Sequence, residues 1–175
     1  MAAFSLEPEC DHCVAYCCAA FAFDKGAYFA FDKPANVPCP HLQNDHFCGI
    51  HDKLDQKGFS GCVRYNCFGA GQRVAQEIYG GTSWRDHPEQ AAAMFEIFSI
   101  VEKIHGLISM LEAAKKLNLP AHLEAERAAF QVELELLSIT PDDLLRVPLG
   151  SLKAKIDRFL AGLRQDVSPQ ELGLK

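Results

Sequence analysis

Eight cysteines lie in one part of this 175-residue chain, and no cysteine follows Cys67. The first four fall in the short stretch ECDHCVAYCC, residues 9–18. Thiolate sulfur is the ligand that structural zinc and iron–sulfur clusters use in proteins. Cysteines that served only as small core side chains would not be concentrated in this way, so their distribution predicts metal binding. The predicted ligands are Cys10, Cys13, Cys17, Cys18, Cys39, Cys48, Cys62 and Cys67.

The expected location of the chain favours the same chemistry. The N-terminal MAAFSLEPEC lacks the basic and then apolar segments of a secretory signal, so we expect a cytoplasmic protein. Thiols stay reduced there, and a dense cysteine pattern more often binds metal than forms disulfides. No apolar run approaches the roughly 20 residues that span a bilayer, so we expect no membrane. The net charge of −6 is spread evenly on both sides of Trp84, which argues against a nucleic-acid partner.

The number of thiols leaves two arrangements open. Eight cysteines are enough for two tetrathiolate zinc sites. Four could instead hold an iron–sulfur cluster, with the rest free for a second ion, and the compact run at 10–18 resembles cluster-binding runs and so favours iron–sulfur. Adjacent side chains diverge in extended backbone, so we expect Cys17 and Cys18 to serve different sites. The remaining ligands of those two sites would come from Cys39, Cys48, Cys62 and Cys67.

Histidines and cations near the cysteines are further candidates. His12, His41, His46 and His51 could each replace a thiolate, although a histidine in such a place is more often a surface or supporting group. His51 is the preferred substitute, because Cys48-x2-His51 has the spacing of a metal-binding turn. A tetrathiolate site keeps a net charge of about −2, whether it holds Zn²⁺ or an oxidised cluster. The cations that could offset it, unless they are simply solvated, are Lys25, Lys33, Arg64 and Arg73.

The amino-acid composition and apolar patterning of the chain change at about residue 84. Residues 1–84 are rich in Gly, Pro, Cys and aromatics, and FAFDK occurs at both 21–25 and 29–33. The alternating phenylalanines favour two short strands around a turn, although a helical first copy is also compatible. This part has too little regular apolar patterning for a core of its own. Small modules of that kind need a cross-link, such as a bound metal, to stabilise the fold. A structural zinc site can supply on the order of 10 kcal/mol.

Residues 85–175 have helical periodicity instead. A long helix is predicted over about 87–117, with Asp86 as its cap and Pro88 in its first turn. Its apolar residues cover more than one face, so we expect it to be central, packing on the cysteine module through Phe68 and Trp84; the alternative is a face that binds a partner or a second copy. His105 within it is expected in the core. Further helices are predicted from Pro120, from Thr140, over 152–164, and at 168–171.

The predicted fold is therefore mostly α. An irregular, cysteine-rich, metal-held module with room for a short β-hairpin would occupy residues 1–84. It would pack on a small antiparallel helical bundle formed by residues 85–175.

The cysteine-rich half resembles a known family. The residues that carry the resemblance are the eight cysteines together with DKP at 32–34, CPHL at 39–42, CGIH at 48–51, GFSGC at 58–62 and CFGAGQ at 67–72. They are similar to the YkgJ-type cysteine-cluster domain, described as zinc- or iron-chelating. They are closer still to the cysteine-rich region that precedes pentapeptide repeats in many bacterial proteins. The resemblance spans roughly 10–110 and implies a bacterial, cytoplasmic, metal-chelating module.

Two departures limit what the resemblance implies. Three residues separate Cys13 from Cys17, as in the pentapeptide-associated form. The YkgJ pattern has only two residues at this place. Pentapeptide periodicity is absent from 111–175, so the DNA-mimicking role of some repeat proteins does not transfer.

Three classes of function fit these features. The first is a metal-cluster protein in which the cluster is structural or redox-active and the helices contact a partner or a second copy. The second is a metallochaperone or metal sensor with a labile site, for which Cys10 and Cys13 near the terminus would be suited. The third is an enzyme that uses the metal as an electrophile. We prefer the first class because it accounts for both halves of the chain.

Overall fold

A computed structural model describes residues 5–137 and 140–165 of the chain. The chain forms two compact units, the first ending at Glu102 and the second beginning at Lys103. The described residues contain seven α-helices and no sheet, which confirms the mostly-α class. The division at 84/85 between a metal-binding module and a helical part remains a prediction.

Short helices make up most of the regular structure before residue 80. Helix α1 spans Tyr16–Ala20, α2 spans Ser60–Arg64 and α3 spans Ala70–Gln72. Helix α3 continues directly into a π-helical segment, Arg73–Ile78. Such widened turns are frequent at functional sites, and this one lies shortly after Cys67. Two 3₁₀ turns lie at Cys10–His12 and His51–Lys53.

The repeated FAFDK segments form a smaller β structure than the predicted pair of strands. Phe23 and Lys33 pair through reciprocal backbone hydrogen bonds of 3.0 and 2.7 Å, as an isolated antiparallel bridge. Inside this bridge the Gly26 N–H donates to the Phe29 carbonyl at 2.9 Å. The rings of Phe23 and Phe29 stack with centroids 4.3 Å apart. Aromatic packing and one bridge therefore hold this loop in place of a longer ladder.

The long helix α4 spans Ala91–Ala114, where 87–117 was predicted. Turns occupy the preceding residues: the His87 N–H bonds to the Ser83 carbonyl, and the Gln90 N–H bonds to the His87 carbonyl. His87 precedes Pro88, and the residue before a proline is disfavoured in helical conformation. The helix therefore begins after the proline, and the predicted first turn is wrong.

Burial confirms that α4 is apolar on several faces. Its first part lies in the first unit and its second part in the second unit. His105 is fully buried, as expected for a core histidine. The buried apolar residues of α4 are Met94, Phe95, Ile97, Phe98, Val101, Ile104, Leu107, Ile108, Leu111 and Ala114.

Aromatic rings form much of the core of the first unit. Tyr16 of α1 is fully buried and stacks on Phe98, with ring centroids 5.2 Å apart. Trp84 packs edge-on against Phe95 at 5.5 Å, and Phe21 lies 5.4 Å from Phe98. Because Phe95 and Phe98 belong to α4, this helix contributes to the same core as residues of the 1–84 range.

The second unit contains three further helices. Helix α5 spans Ala121–Glu135, α6 spans Pro141–Leu144 and α7 spans Leu149–Gly162. Phe130 of α5 and Phe159 of α7 have ring centroids 5.6 Å apart. These helices agree with the predicted starts at Pro120 and Thr140, whereas the turn predicted at 168–171 lies outside the described residues. No helix in the described ranges has the length and apolar character needed to cross a membrane.

Candidate metal centre

The first cysteine segment folds into a tight turn followed by helix α1. The Cys13 N–H donates to the Cys10 carbonyl at 3.1 Å. Ala15 then takes a left-handed conformation, with φ of 57°, immediately before α1. Burial raises the pKa of the Cys13 thiol to about 11, and hydrogen bonds from the N–H groups of Tyr16 and Ala15 act in the opposite direction. The turn therefore directs two backbone donors at the Cys13 sulfur.

The second segment, 39–51, is joined to α1 by the backbone. The Cys39 N–H donates to the Cys18 carbonyl at 2.9 Å. Leu42 bonds back to the Cys39 carbonyl at 2.9 Å and forms a β-bridge with Cys48. These contacts bring Cys18, Cys39 and Cys48 into one neighbourhood, although they are far apart in sequence.

The third segment carries Cys62 in α2 and Cys67 just before α3. Cys62 is exposed. Phe68, directly after Cys67, has a left-handed φ of 49°. A Cβ on Gly71 of α3 would lie 2.6 Å from the Cys13 sulfur and 3.9 Å from the Cys67 sulfur. The absence of a side chain at Gly71 thus leaves room where these two sulfurs approach one another.

We divide the eight thiols into two groups by their electrostatic neighbours; Cys18 also raises the pKa values of Cys10 and Cys17, across the two groups. Burial raises the pKa of Cys10, and repulsion from the Cys67 thiolate is the second-largest cause of the same rise. Both Cys10 and Cys67 also raise the pKa of Cys13, and Cys13 and Cys67 raise that of Cys17 after the effects of Cys18 and burial. We call these four the Cys10 set: Cys10, Cys13, Cys17 and Cys67.

The second group is centred on Cys18. Burial raises the pKa of Cys62 to about 11, with further repulsion from Cys18, Cys39 and Cys48. Burial also raises the pKa values of Cys39 and Cys48, and the Cys18 thiolate adds to both. The N–H groups of His41 and Ile50, each two residues after a cysteine, bond to the sulfurs of Cys39 and Cys48 and oppose that rise. We call these four the Cys18 set: Cys18, Cys39, Cys48 and Cys62.

Cys17 and Cys18 lie in helix α1, not in the extended backbone assumed from the sequence. The Cys17 thiol donates a hydrogen bond to the Cys18 sulfur. That bond raises the pKa of Cys17 well above its ordinary value and lowers the pKa of Cys18. The two adjacent residues, which we assign to different sets, are therefore in contact with each other, and their division between two sites stays a prediction.

Side chains from the region after Cys67 hold the first cysteine segment in place. The Trp84 indole N–H donates to the Val14 carbonyl at 2.7 Å, so a residue expected only in the core also fixes the turn after Cys13. The Gln76 amide donates to the His12 carbonyl at 3.0 Å. Gln72 donates to the Glu7 carbonyl at 2.7 Å and accepts from the Glu9 N–H at 3.2 Å.

Two buried hydroxyl groups lie near the Cys10 set. The hydroxyl oxygens of Tyr16 and Tyr65 are buried and have no hydrogen-bond partner among the described residues. Burial raises both pKa values, and the Cys13 thiolate contributes in each case. Leaving a buried hydroxyl unpaired costs about 1–3 kcal/mol. Each of these hydroxyl groups is therefore a donor that lacks a hydrogen-bond acceptor among the described residues. Sequence reasoning missed both, because a tyrosine in an aromatic-rich segment is typical of a core.

The histidines beside the cysteines have other neighbours in this structure. His51, the preferred substitute for a thiolate, has an exposed ring 3.8 Å from Asp52. His46 shares a hydrogen bond of 2.9 Å with the Ser83 hydroxyl. The other two are His12, 2.8 Å from the Glu9 carboxylate, and His41, which packs on Phe31 and Phe59.

The four candidate cations have different environments. Lys33 is only 3% exposed, whereas Lys25 is exposed. The Arg64 guanidinium lies 5.1 Å from the centre of a tyrosine ring, and Arg73 pairs with Glu77 at 3.6 Å. Lys33 is therefore the most buried of the four, and the Arg73 side chain is 12% exposed.

In the described part of the chain, no three His, Cys, Asp or Glu side chains are arranged as a ready-made metal shell. The side chains of Cys17 and Cys18 share a hydrogen bond with each other. Holding an ion in each set would require these side chains to rotate apart. The donor chemistry of each set, four thiols, fits zinc or an iron–sulfur cluster.

Comparison with protein-family models and with solved structures gives no match. The chain is similar to the uncharacterized protein YybG of Bacillus subtilis (strain 168), with 37% identity over 158 residues. The similar region covers 90% of this chain and 57% of that protein. The chain thus spans little more than half the length of this relative.

Proposed function

We propose that this chain is a metal-binding protein with two four-cysteine sites, one in the Cys10 set and one in the Cys18 set. The observation that carries the proposal is the approach of cysteines from separate segments: the sulfurs of Cys13 and Cys67 both lie within 4 Å of a Cβ position at Gly71, and the Cys39 N–H donates to the Cys18 carbonyl. Each group combines residues of the first segment with residues that follow later in the chain.

Backbone donors near the sulfurs support the proposal. The N–H two residues after the cysteine bonds to the sulfur at Cys13, Cys39 and Cys48. Hydrogen bonds of this kind favour the thiolate over the thiol, and thiolate is the form that ligates metal. They also orient the ligand, as supporting groups around metal sites do.

Backbone strain near the cysteines points in the same direction. Ala15, His46 and Phe68 have φ values of 57°, 67° and 49°, and each lies within two positions of a cysteine. For a residue with a side chain this conformation costs roughly 1–2 kcal/mol. Such strain persists where the surrounding structure holds it, and it is concentrated at functional sites.

The role we favour is structural or redox, with an iron–sulfur cluster or tetrathiolate zinc as the bound group. Iron–sulfur is slightly preferred because of the compact cysteine run at 10–18. The even acidity of the chain remains our reason to expect no nucleic-acid partner, and a cytoplasmic location is part of the same proposal. The helices would then serve as packing surface or contact a partner.

The test combines metal analysis with paired substitutions. Iron, zinc and acid-labile sulfide per chain are measured after anaerobic purification, for the unmodified protein and for cysteine-to-serine variants. Cys13→Ser and Cys67→Ser should each remove the same site, so the double variant should lose no more metal per chain than either single variant. Cys39→Ser should remove the other site, and combining it with Cys13→Ser should abolish binding.

His51→Ala serves as the matched control, because this residue neighbours Cys48 but belongs to neither set. It should retain the full metal content. Visible absorbance with iron and sulfide would identify a cluster, and colourless protein with zinc would identify tetrathiolate sites. Metal loss that ignores the two sets, or no metal under any condition, would refute the proposal.

A second candidate function, transfer of metal to another protein, is favoured by one observation. Each set contains one exposed cysteine, Cys10 in the first and Cys62 in the second. An exposed ligand gives an incoming thiol access to the bound metal. Exchange with isotopically labelled zinc on a time scale of minutes would favour transfer, whereas retention over days would favour a structural site.

A further inference from the structure

Lys33, in the DKP segment, is a buried lysine that the two proposed sites do not explain. Its exposed fraction is 3%, and lysine is almost never fully buried without partners. Its ammonium donates to three backbone carbonyls: Val37 at 2.7 Å, Ala19 at 3.0 Å and Pro34 at 3.1 Å. These contacts occupy the three N–H donors of the ammonium group.

Two of these acceptors lie next to cysteines of the Cys18 set. Ala19 directly follows Cys18, and Val37 lies two positions before Cys39. The same two segments are joined by the hydrogen bond from the Cys39 N–H to the Cys18 carbonyl. The Lys33 side chain therefore ties together the two pieces of chain that carry Cys18 and Cys39.

The backbone holds Lys33 itself in place. Its N–H and carbonyl both bond to Phe23, at 2.7 and 3.0 Å, and its ammonium lies 5.7 Å from the centre of the Phe23 ring. In the preceding turn, the Asp32 carboxylate accepts from the Lys25 N–H at 2.6 Å. Asp32 thus closes the loop, and Lys33 is directed into the unit.

The positive charge of Lys33 interacts with nearby thiols. None of the described carboxylates accepts a hydrogen bond from its ammonium. Burial lowers the pKa of Lys33, and the thiolates of Cys39, Cys18 and Cys17 oppose that shift. Four thiolates around a dication keep a net charge of about −2, which is costly to bury without a compensating charge.

We propose that Lys33 is a positioning residue for the metal site of the Cys18 set. Its ammonium holds the Cys18 and Cys39 segments together and supplies the positive charge that offsets the thiolates of the loaded site. Within the Cys10 set, Cys17 also interacts with Lys33, but more weakly than Cys39 and Cys18 do, so replacing Lys33 should affect the site of the Cys10 set less. This inference rests on the proposed two-site function.

The experiment measures Zn²⁺ binding to the reduced, metal-free full chain by competition with a chromophoric chelator. Two backgrounds separate the sites: Cys13→Ser leaves the Cys18 set intact, and Cys39→Ser leaves the Cys10 set intact. In the first background, Lys33→Met should weaken zinc binding by at least about tenfold, the usual scale for a supporting group. In the second background, Lys33→Met should weaken zinc binding much less, because Cys17 interacts with Lys33 more weakly than Cys39 and Cys18 do.

Two further variants serve as controls. Lys25→Met removes an exposed lysine from the same loop and should change neither affinity. Lys33→Arg keeps the charge, so it should recover most of the affinity that Lys33→Met loses, which a purely space-filling role would not predict. If Lys33→Met does not fold, loss of zinc binding by folded Lys33→Arg in the Cys13→Ser background would still overturn the proposal.

The results that would contradict the role of Lys33 differ from those that would refute the two proposed sites. Unchanged zinc binding by Lys33→Met in the Cys13→Ser background, or equal weakening in both backgrounds, would overturn the role of Lys33. Absence of zinc binding in both cysteine backgrounds, with Lys33 intact, would instead refute the two-site function itself.

Discussion

At the residue scale, the thiols differ in how readily they give up a proton. Burial raises the pKa values of Cys13 and Cys62 to about 11, whereas the hydrogen bond from Cys17 lowers that of Cys18. Metal ligation needs thiolate, so binding must release the protons that burial retains. The hydrogen bond from Cys17, together with the positive charge of Lys33, brings Cys18 nearer to the ligating state.

This proton balance predicts how the metal-free chain responds to pH. A thiol whose folded-state pKa is raised stabilises the fold below its unfolded pKa and loses that contribution as pH rises toward the folded value. Stability should therefore fall between about pH 9 and pH 11, the ordinary and raised values for Cys13. Urea unfolding under reducing conditions measures this. The fall should be shallower in Cys13→Ser, and an equal slope in both chains would contradict the assignment.

Gly71 provides a second prediction at this scale. A Cβ at Gly71 would lie 2.6 Å from the Cys13 sulfur. A free thiol can rotate away from a methyl group, but a sulfur bound to metal cannot. Gly71→Ala should therefore weaken the site of the Cys10 set roughly tenfold while changing metal-free stability little. Zinc competition in the Cys39→Ser background measures the first effect, and urea unfolding measures the second.

Gly106 in α4 is the matched control for that substitution. An added Cβ there meets no atom within 4 Å. Gly106→Ala should leave zinc affinity unchanged and stabilise the chain by about 0.5–1 kcal/mol, the usual gain for this exchange in a helix. Equal zinc affinities for Gly71→Ala and the unmodified protein would mean that Cys13 does not ligate from its observed position.

At the scale of the elements, α4 connects core packing to the cysteines. Phe98 is 1% exposed and lies against Tyr16 and Phe21. Tyr16 is followed directly by Cys17 in α1. A change in the packing of α4 should therefore reach a predicted ligand through one intervening ring.

Phe98→Ala should lower the free energy of unfolding by about 3–5 kcal/mol, because it leaves a cavity under Tyr16. It should also weaken metal binding by the Cys10 set. Met110, which is 43% exposed on the same helix, gives the control: Met110→Ala should change stability by less than about 0.5 kcal/mol. Thermal unfolding and metal content test both. A Phe98→Ala chain with unchanged stability but altered self-association would make α4 an interface.

The helices were predictable because their signals are local. Apolar residues at helical spacing located α4, and Pro120 and Thr140 located the starts of α5 and α6. The beginning of α4 was misplaced because the restriction that Pro88 imposes on His87 outweighed the favourable first-turn position. The predicted strands around Gly26 reduced to one bridge, since stacking of aromatic rings across the turn holds the loop.

The candidate site was predictable in composition but not in arrangement. The spacing of Cys17 and Cys18 suggested two sites, yet the reasoning assumed extended backbone and the structure has a helix. Which later cysteine joins which set depends on contacts between distant segments, such as Gly71 with Cys13, and no local pattern encodes them. The burial of Lys33 has the same origin: its partners follow Cys18 and precede Cys39.

At the scale of the whole molecule, the first unit has two sources of cohesion. One is the aromatic core that includes Phe95 and Phe98 of α4. The other, in the proposed function, is metal held by cysteines between residues 10 and 67. Many segments in that range are turns and short helices, whose backbone gains little from regular hydrogen-bonding. Their order should therefore depend on metal more strongly than the order of the helices from α4 onward.

Removing metal should accordingly act on one part of the chain. After treatment of metal-loaded protein with a strong chelator under reducing conditions, amide exchange should accelerate across 10–67, because the cross-links between distant segments are lost. Helices α4, α5 and α7 should keep most of their protection, since their buried faces are apolar, and far-UV circular dichroism should retain most of the helical signal. The double variant Cys13→Ser/Cys39→Ser should reproduce the chelated pattern without chelator. Unchanged protection across 10–67 after metal release would mean that the aromatic core alone holds this segment, and that the cysteines bind metal without supporting the fold.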